Sequence, residues 1–465
     1  MSIEKALGIE GDPEPDAEAV SDHSVTLTRR ELVAAARALA ARLESSVPPT
    51  ARVGVIASAG VQGVVDVLGG LLSRRSTALL PADGLGSAYP DAVAVSSQCG
   101  AILRRGAIEP LQPLGDERRL TTFGMEPTDS PERLVLFTSG TTSLPKGVRL
   151  SEANLLSHLT AMLRTAAPWI PGDRIGQTLT ISHSFGLSMA LLALATRTPL
   201  IMLPEGTPGR RLAEAMTAKS VTVYACVPYF LRLMATRGID LGGRTAPGLK
   251  HLYLAGGGVT DDDLAALLPH YSGQTYLMYG LTEATARVAV RRGGDLAPPN
   301  SVGLPLPGVH VRIVGPDGLP LSVGETGRIQ VFSPTSMIGY VGDNPRPKGD
   351  PITTTDLGRL DEAGNLFITG REAEMMNFRG NRVSLVALEA LVDGLEGVQQ
   401  SRFRPDSHED DAPAELLIIA EPNADPKRIR MAALRTVEPR GLVRSITFVD
   451  DLPTTRSGKA IRHSL

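Results

Sequence analysis

Short β-type runs alternate with helical segments from residue 25 to residue 268, and this rhythm restricts the possible folds more than any other feature. Val25-Thr26-Leu27 reads as a strand. A helix follows with apolar residues at Leu32, Ala36, Leu39 and Leu43, the spacing of a single helix face. A β-rich run at 52–57 and a helical segment at 61–72 repeat the pair. The alternation returns at 134–137, 151–166, 178–181, 200–203, 212–218, 221–225, 252–255 and 261–268. Strands separated by helices build mostly parallel sheets covered on both faces. The expected class is therefore α/β, with a large N-terminal domain of mixed, mostly parallel sheets covered by helices.

Beyond residue 300 the texture changes. Runs at 309–314, 327–332 and 366–369 are short strands parted by Gly, Pro and Asp turns, as in a small antiparallel β subdomain. From Gly370-Arg371 onward a helix at 385–391 and strands at 416–420 and 446–449 suffice for a small α+β domain. A chain of 465 residues exceeds what one hydrophobic core serves. The expected division is an N-terminal domain at 1–369 and a C-terminal domain at 370–465. The Pro-, Asp- and Gly-rich stretch 343–350 reads as a surface loop.

A net charge of −3 gives no basic excess of the kind that nucleic acid or an acidic membrane selects, so neither is expected as a partner. Cys99 and Cys226 are the only cysteines, far apart, which predicts neither a disulfide framework nor a zinc site. Each reads as a small buried apolar residue. The opening residues lack a basic start and an apolar segment, and the apolar run 187–195 is too short to span a bilayer. The expected location is cytoplasmic.

The chemistry starts at Val135-Leu136-Phe137, a β-type run feeding into Thr138-Ser139-Gly140-Thr141-Thr142-Ser143-Leu144-Pro145-Lys146-Gly147. Small residues let a backbone approach an anion closely, hydroxyls and amides donate to it, and Lys146 adds a point charge. A solvated Ser/Thr/Gly surface loop has the same composition. A nucleotide-binding P-loop needs Gly before its Lys and Ser or Thr after it. Here Pro145 precedes and Gly147 follows, so any Mg²⁺ ligand must come from elsewhere.

The loop resembles the signature of the adenylate-forming superfamily: acyl- and aryl-CoA synthetases, peptide-synthetase adenylation domains and luciferases. Further motifs of that family follow in order. They are Leu254-Ala255-Gly256-Gly257-Gly258, Tyr279-Gly280-Leu281-Thr282-Glu283, Ser301-Val302-Gly303-Leu304-Pro305, Gly324-Glu325-Thr326-Gly327, Asp356-Leu357-Gly358-Arg359, Gly370-Arg371, Phe378-Arg379-Gly380-Asn381-Arg382-Val383 and Thr455-Arg456-Ser457-Gly458-Lys459. The resemblance spans residues 25–465 and is closest to the AMP-forming acid–thiol ligases. It implies ATP-dependent activation of a carboxylic acid as its acyl-adenylate, with pyrophosphate released, and a small mobile C-terminal lid.

That reaction brings two anions together, so charge neutralisation and alignment dominate it. The resemblance implies that Lys459 bridges the attacking carboxylate and the α-phosphate. Glu283 is the implied Mg²⁺ ligand, as a hard cation on phosphates favours carboxylate oxygen. Thr282 would donate to the α-phosphate and Tyr279 would stack on adenine. Thr138, Ser139, Gly140, Thr141, Thr142 and Lys146 would hold the phosphates, with Gly257 and Gly258 lining the nucleotide. Asp356 would accept from the ribose hydroxyls, and Arg371 and Arg382 would contact the nucleotide. Three residues depart from the family pattern: Ser143 for Gly in the loop, Thr355 for Gly before Asp356, and Ala373 at the hinge.

Ser182-His183-Ser184-Phe185-Gly186 resembles the segment beside the substrate carboxylate, which His183 would orient. Relatives that activate amino acids usually carry Asp at the place of Ser184, so a free α-amino acid is disfavoured. Tyr229, Gly256, Gly280 and Val288 are the other expected pocket walls, the two glycines leaving room for an aryl ring or chain. The acceptor implied is a thiol, coenzyme A or the phosphopantetheine of a separate carrier protein. Two other readings stay open: transfer to an amine, and an inactive nucleotide-binding protein.

Overall fold

Val53, Val55, Ala78, Leu79, Leu134 and Val135 are wholly or almost wholly buried, as the strands of a sheet covered on both faces must be. The computed structural model describes residues 2–81, 89–111, 131–138, 145–204, 209–294, 297–372, 375–379, 381–406 and 411–452. Arg52–Ile56, Thr77–Leu79, Cys99–Arg104 and Glu132–Phe137 form the parallel centre of a seven-stranded sheet. Its edges turn antiparallel through Ala107–Pro110 on one side and Gly147–Ser151 and Gly339–Tyr340 on the other.

A nine-stranded sheet repeats the plan. Glu18–Ser21, Leu200–Met202, Ile175–Gln177, Val223–Cys226, His251–Ala255 and Gln274–Tyr279 run parallel. Thr26–Thr28 closes one edge antiparallel, and Ala289–Arg292 with Leu304–Pro305 closes the other. Tyr224, Leu252, Leu254 and Leu277 pack with Met216 and Met234, from the helices Arg210–Ala218 and Pro228–Thr236. The α/β class expected from the alternation is the one observed.

Local chemistry sets the helix starts. Thr28 and Glu31 form a capping box on Arg29–Ser46, and Ser151 and Asn154 form another on Glu152–Thr165. Val61–Leu72 has Gly60 at its N-cap and so no side chain there to accept a hydrogen bond. Asp22, far away in sequence, supplies it: its Oδ2 accepts the Val61 N–H at 3.0 Å.

One expected strand is displaced. The strand ends at Gln177, and residues 178–181 turn instead. Gln177 is fully buried and its side-chain amide donates to the Leu179 carbonyl at 2.9 Å, which bends the chain directly after the strand. The apolar run 187–195 lies in the helix Ser184–Ala195, buried along nearly its whole length. Both cysteines are buried and free. Burial pushes their thiols up, that of Cys99 to about 12, which leaves them inert as nucleophiles at neutral pH. No helix among the described residues is long and apolar enough to cross a membrane.

The chain divides into two units, one of residues 1–311, 331–352 and 364–366, the other of residues 312–330, 353–363 and 367–465. A four-stranded sheet is ordered His310–Val314, Gly327–Phe332, Ile352–Leu360, Leu366–Arg371. The second unit contains a three-stranded sheet of Val398–Pro405, Ala414–Ala420 and Val443–Phe448. Phe403, Leu416 and Ile418 pack there against Leu388 of Leu385–Asp393 and Ile429 of Pro426–Thr436. It is a small α+β core, as the sequence predicts.

Candidate active site

Four of the sequence motifs leave the nine-stranded sheet at the same edge. The register pairs Gln177 with Ala225, Cys226 with Leu254, and Ala255 with Met278. The segments that follow, 178–186, 227–229, 256–258 and 280–283, therefore crowd together at the carboxyl ends of adjacent parallel strands. In open α/β sheets this is where ligands bind.

His183 is the N-cap of Ser184–Ala195, half-buried, with its backbone N–H donating to the Thr180 carbonyl at 3.1 Å. Gly186 is fixed by close approach, since a Cβ there would lie 2.3 Å from the same carbonyl. Ser184 and Tyr229 are half-buried, and Val288 is fully buried with its N–H on the Tyr279 carbonyl at 2.9 Å. Gly256, Gly257 and Gly258 lie exposed in the turn after His251–Ala255.

Tyr279 ends its strand as a buried ring, and the chain then turns sharply. A Cβ on Gly280 would meet the Ala286 carbonyl oxygen at 1.7 Å. The space beside Gly280 is thus filled by backbone, and its smallness serves the turn where the sequence suggested room for an acyl group. Thr285 and Ala286 both hold positive φ, 49° and 83°. Such strain persists only where the surroundings over-determine it. Thr285 Oγ1 donates to the Thr335 carbonyl at 2.6 Å and Thr335 Oγ1 returns a bond to the Ala284 carbonyl at 2.9 Å.

This turn presents Thr282 and Glu283, and it faces the ends of the phosphate loop. The loop closes between antiparallel strands: Phe137 pairs with Gly147, and the Thr138 N–H donates to the Lys146 carbonyl at 3.0 Å. A P-loop runs from strand to helix, so this geometry excludes that motif independently of its spacing. Lys146 is exposed with its Nζ 5.3 Å from the ring centroid of Tyr340, a cation–π contact. The Tyr340 hydroxyl donates to Glu283 Oε1 at 2.9 Å. Burial and the Glu283 charge push the Tyr340 phenol well above its usual range, so it stays a donor. Tyr340 is the residue that sequence reasoning missed; it stands 57 positions from Glu283 on a two-residue strand.

Glu283 has no other side-chain partner among the described residues, and no group of three or more His, Cys, Asp or Glu there is placed to hold a metal ion. One carboxylate with a free oxygen suits a Mg²⁺ that takes its remaining ligands from phosphates and water.

In the second unit, Asp356 is buried and accepts from Arg371 Nε at 2.6 Å, so two residues read as nucleotide contacts stand side by side. Thr355 points outward from an unbroken strand, Ile352–Leu360, and leaves the acid's position intact. Arg382 pairs through its backbone with Asn377 in the hairpin of Met375–Phe378 and Asn381–Ser384. Ser139, Gly140, Thr141, Thr142, Ser143, Ala373, Gly380 and Lys459 lie outside the described residues.

Residues 91–341, more than half the chain, match the sequence family described as AMP-binding enzyme. The chain belongs to that family. It is similar to a probable non-canonical nonribosomal peptide synthetase, CymA, of Salinispora arenicola, 28% identical over 97% of this chain and 6% of that one. It is also similar to 4-coumarate–CoA ligase-like 8 of Arabidopsis thaliana, 26% identical over 71% of this chain and 62% of the other. The chain thus spans less than two thirds of either relative. Among solved structures, the o-succinylbenzoate CoA synthetase of Bacillus subtilis with its acyl-adenylate intermediate superposes with a TM-score of 0.79. The identity is 18%, over 98% of this chain and 96% of that one. At that identity the likeness is one of fold.

Proposed function

We propose that this AMP-binding enzyme activates a carboxylic acid with ATP, releasing pyrophosphate, and passes the acyl group from its adenylate to a thiol, most simply that of coenzyme A. The observation that carries the reading is the line from Lys146 through Tyr340 to Glu283. It sets a cation at the end of the phosphate loop and a carboxylate with a free oxygen on one side of the same turn. Glu283 would hold Mg²⁺, which when bound neutralises the phosphates. Thr282 would donate to the α-phosphate, and Thr138, Ser139, Gly140, Thr141, Thr142 and Lys146 would cradle the rest. Tyr279, Gly257 and Gly258 would take the adenine side, and Asp356, Arg371 and Arg382 the nucleoside. His183, Ser184, Tyr229, Gly256 and Val288 would surround the acid, with only the backbone of Gly280 beside it. Residues 370–465 would act as the lid that carries Lys459 to the reacting carboxylate.

The test is pyrophosphate release, or hydroxamate formation, over a panel of aliphatic, aromatic and amino acids. Acid-dependent release is expected; its absence across the panel would leave a nucleotide-binding protein without this chemistry. The resemblance to a peptide synthetase as well as to a CoA ligase-like protein favours a second acceptor, a carrier protein or an amine. Offering CoA and loaded carriers, and weighing the product, separates them.

A further inference from the structure

Arg287 is 2% exposed, and no carboxylate among the described residues pairs with it. Its Nη1 donates to the Ala286 carbonyl at 2.8 Å and its Nε points at Met278 Sδ at 3.2 Å. The guanidinium carbon lies 4.3 Å from the ring centroid of Phe185, and Nη2 has no partner among the described residues. A thioether, a ring face and one carbonyl are poor compensation for a buried charge. Burial lowers the guanidinium to about 9, which still leaves it charged at neutral pH.

The neighbourhood has more unspent hydrogen-bonding capacity. His158 is fully buried, with Nε2 2.8 Å from Ser188 Oγ and Nδ1 without a partner among the described residues. Burial first, and the Arg287 charge second, hold its imidazole neutral, down to about 3. Ser182 Oγ, beside His183 in sequence, is also buried without a partner among the described residues. Arg287 stacks on Phe185, in the segment proposed to lie beside the acid, and directly precedes Val288, proposed as one of the walls of that site.

We infer that Arg287 is the counter-charge for a second anionic group on the substrate, so that the acid activated is a dicarboxylic acid. This rests on the acid-activating reading above. One carboxylate would be adenylated and the other would accept from Arg287, in the fork geometry that guanidinium offers carboxylate. The same cation, with Ser184 in place of an acid, would repel the ammonium of an α-amino acid.

Pyrophosphate release is measured with linear and aromatic diacids, their monomethyl esters and the corresponding monoacids, for the parent, Arg287→Met and Arg287→Lys. The parent should favour a diacid over its own monoester by about 10²-fold or more in kcat/KM, the scale of an unpaired buried charge. In Arg287→Met that ratio should collapse towards one, while Arg287→Lys keeps part of it. The preferred diacid alone, without ATP, should raise the Tm of the parent and not that of Arg287→Met. Equal use of esters and diacids by the parent, or a ratio unmoved in Arg287→Met, would overturn the inference and leave adenylation standing. Release from no acid of any series would overturn adenylation itself, and the diacid assignment with it.

Discussion

A phenol has one proton to donate, and Tyr340 gives it to Glu283 Oε1. That bond leaves Glu283 Oε2 as the oxygen open to a metal ion, which in the proposed reaction would make Tyr340 a positioning residue. Removing the hydroxyl in Tyr340→Phe should lower kcat about 10-fold and raise the Mg²⁺ concentration needed for half-maximal rate, the usual scale for such support. Steady-state pyrophosphate release across a Mg²⁺ titration reads both; an unchanged Mg²⁺ dependence would mean that the tyrosine only packs. Glu283 itself was legible in the sequence because it stands in Tyr279-Gly280-Leu281-Thr282-Glu283, a contiguous pattern. Tyr340 and Arg287 were not, because what makes them matter is a partner met, or a partner missing, in space. A lone tyrosine after a glycine, or an arginine following Ala284-Thr285-Ala286, has no spacing to betray it.

At the scale of elements, the helix Val61–Leu72 depends on a residue outside itself. Asp22 accepts N–H groups from Val61, Ser24 and Val25, and the hydroxyl of Ser24. Burial alone would raise its carboxyl, but these bonds outweigh it and hold it at about 2, below the ordinary 3.8. A depressed value means that the charged form stabilises the fold. The contribution is therefore complete above about pH 4 and is lost as the pH falls through 2. Asp22→Asn should cost about 1 kcal/mol at pH 7, as a lost helix cap does. Melting curves of parent and variant should converge on acidification; a constant gap down to pH 2 would mean that the charge plays no part. The helix Arg29–Ser46 could be read ahead of the structure because Leu32, Ala36, Leu39 and Leu43 repeat at the spacing of one helix face, and those residues are buried as that spacing predicts. The displaced strand near 178 could not, because the bend comes from a buried Gln177 whose polar group had to find the Leu179 carbonyl.

At the scale of the molecule, each unit closes its own core. Tyr224, Leu252 and Leu254 lie in one, Phe403, Leu416 and Ile418 in the other, all from residues well before 459. If Lys459 serves only the reaction proposed for it, Lys459→Ala should leave the Tm within about 1 °C of the parent, while acid-dependent pyrophosphate release falls by about 10³-fold or more, as loss of a transition-state charge contact does. Retained release would sink the assignment of Lys459. The class of fold was legible at this scale because alternation of strand and helix is a property of long stretches, insensitive to one displaced strand. The phosphate loop shows the complementary case. Its ends are tied to each other by neighbouring strands and by one backbone bond from Thr138 to Lys146. Because that bond uses the backbone of Thr138 and Lys146, the closure survives any exchange of the Lys146 side chain, so the charge can be removed and the clasp kept.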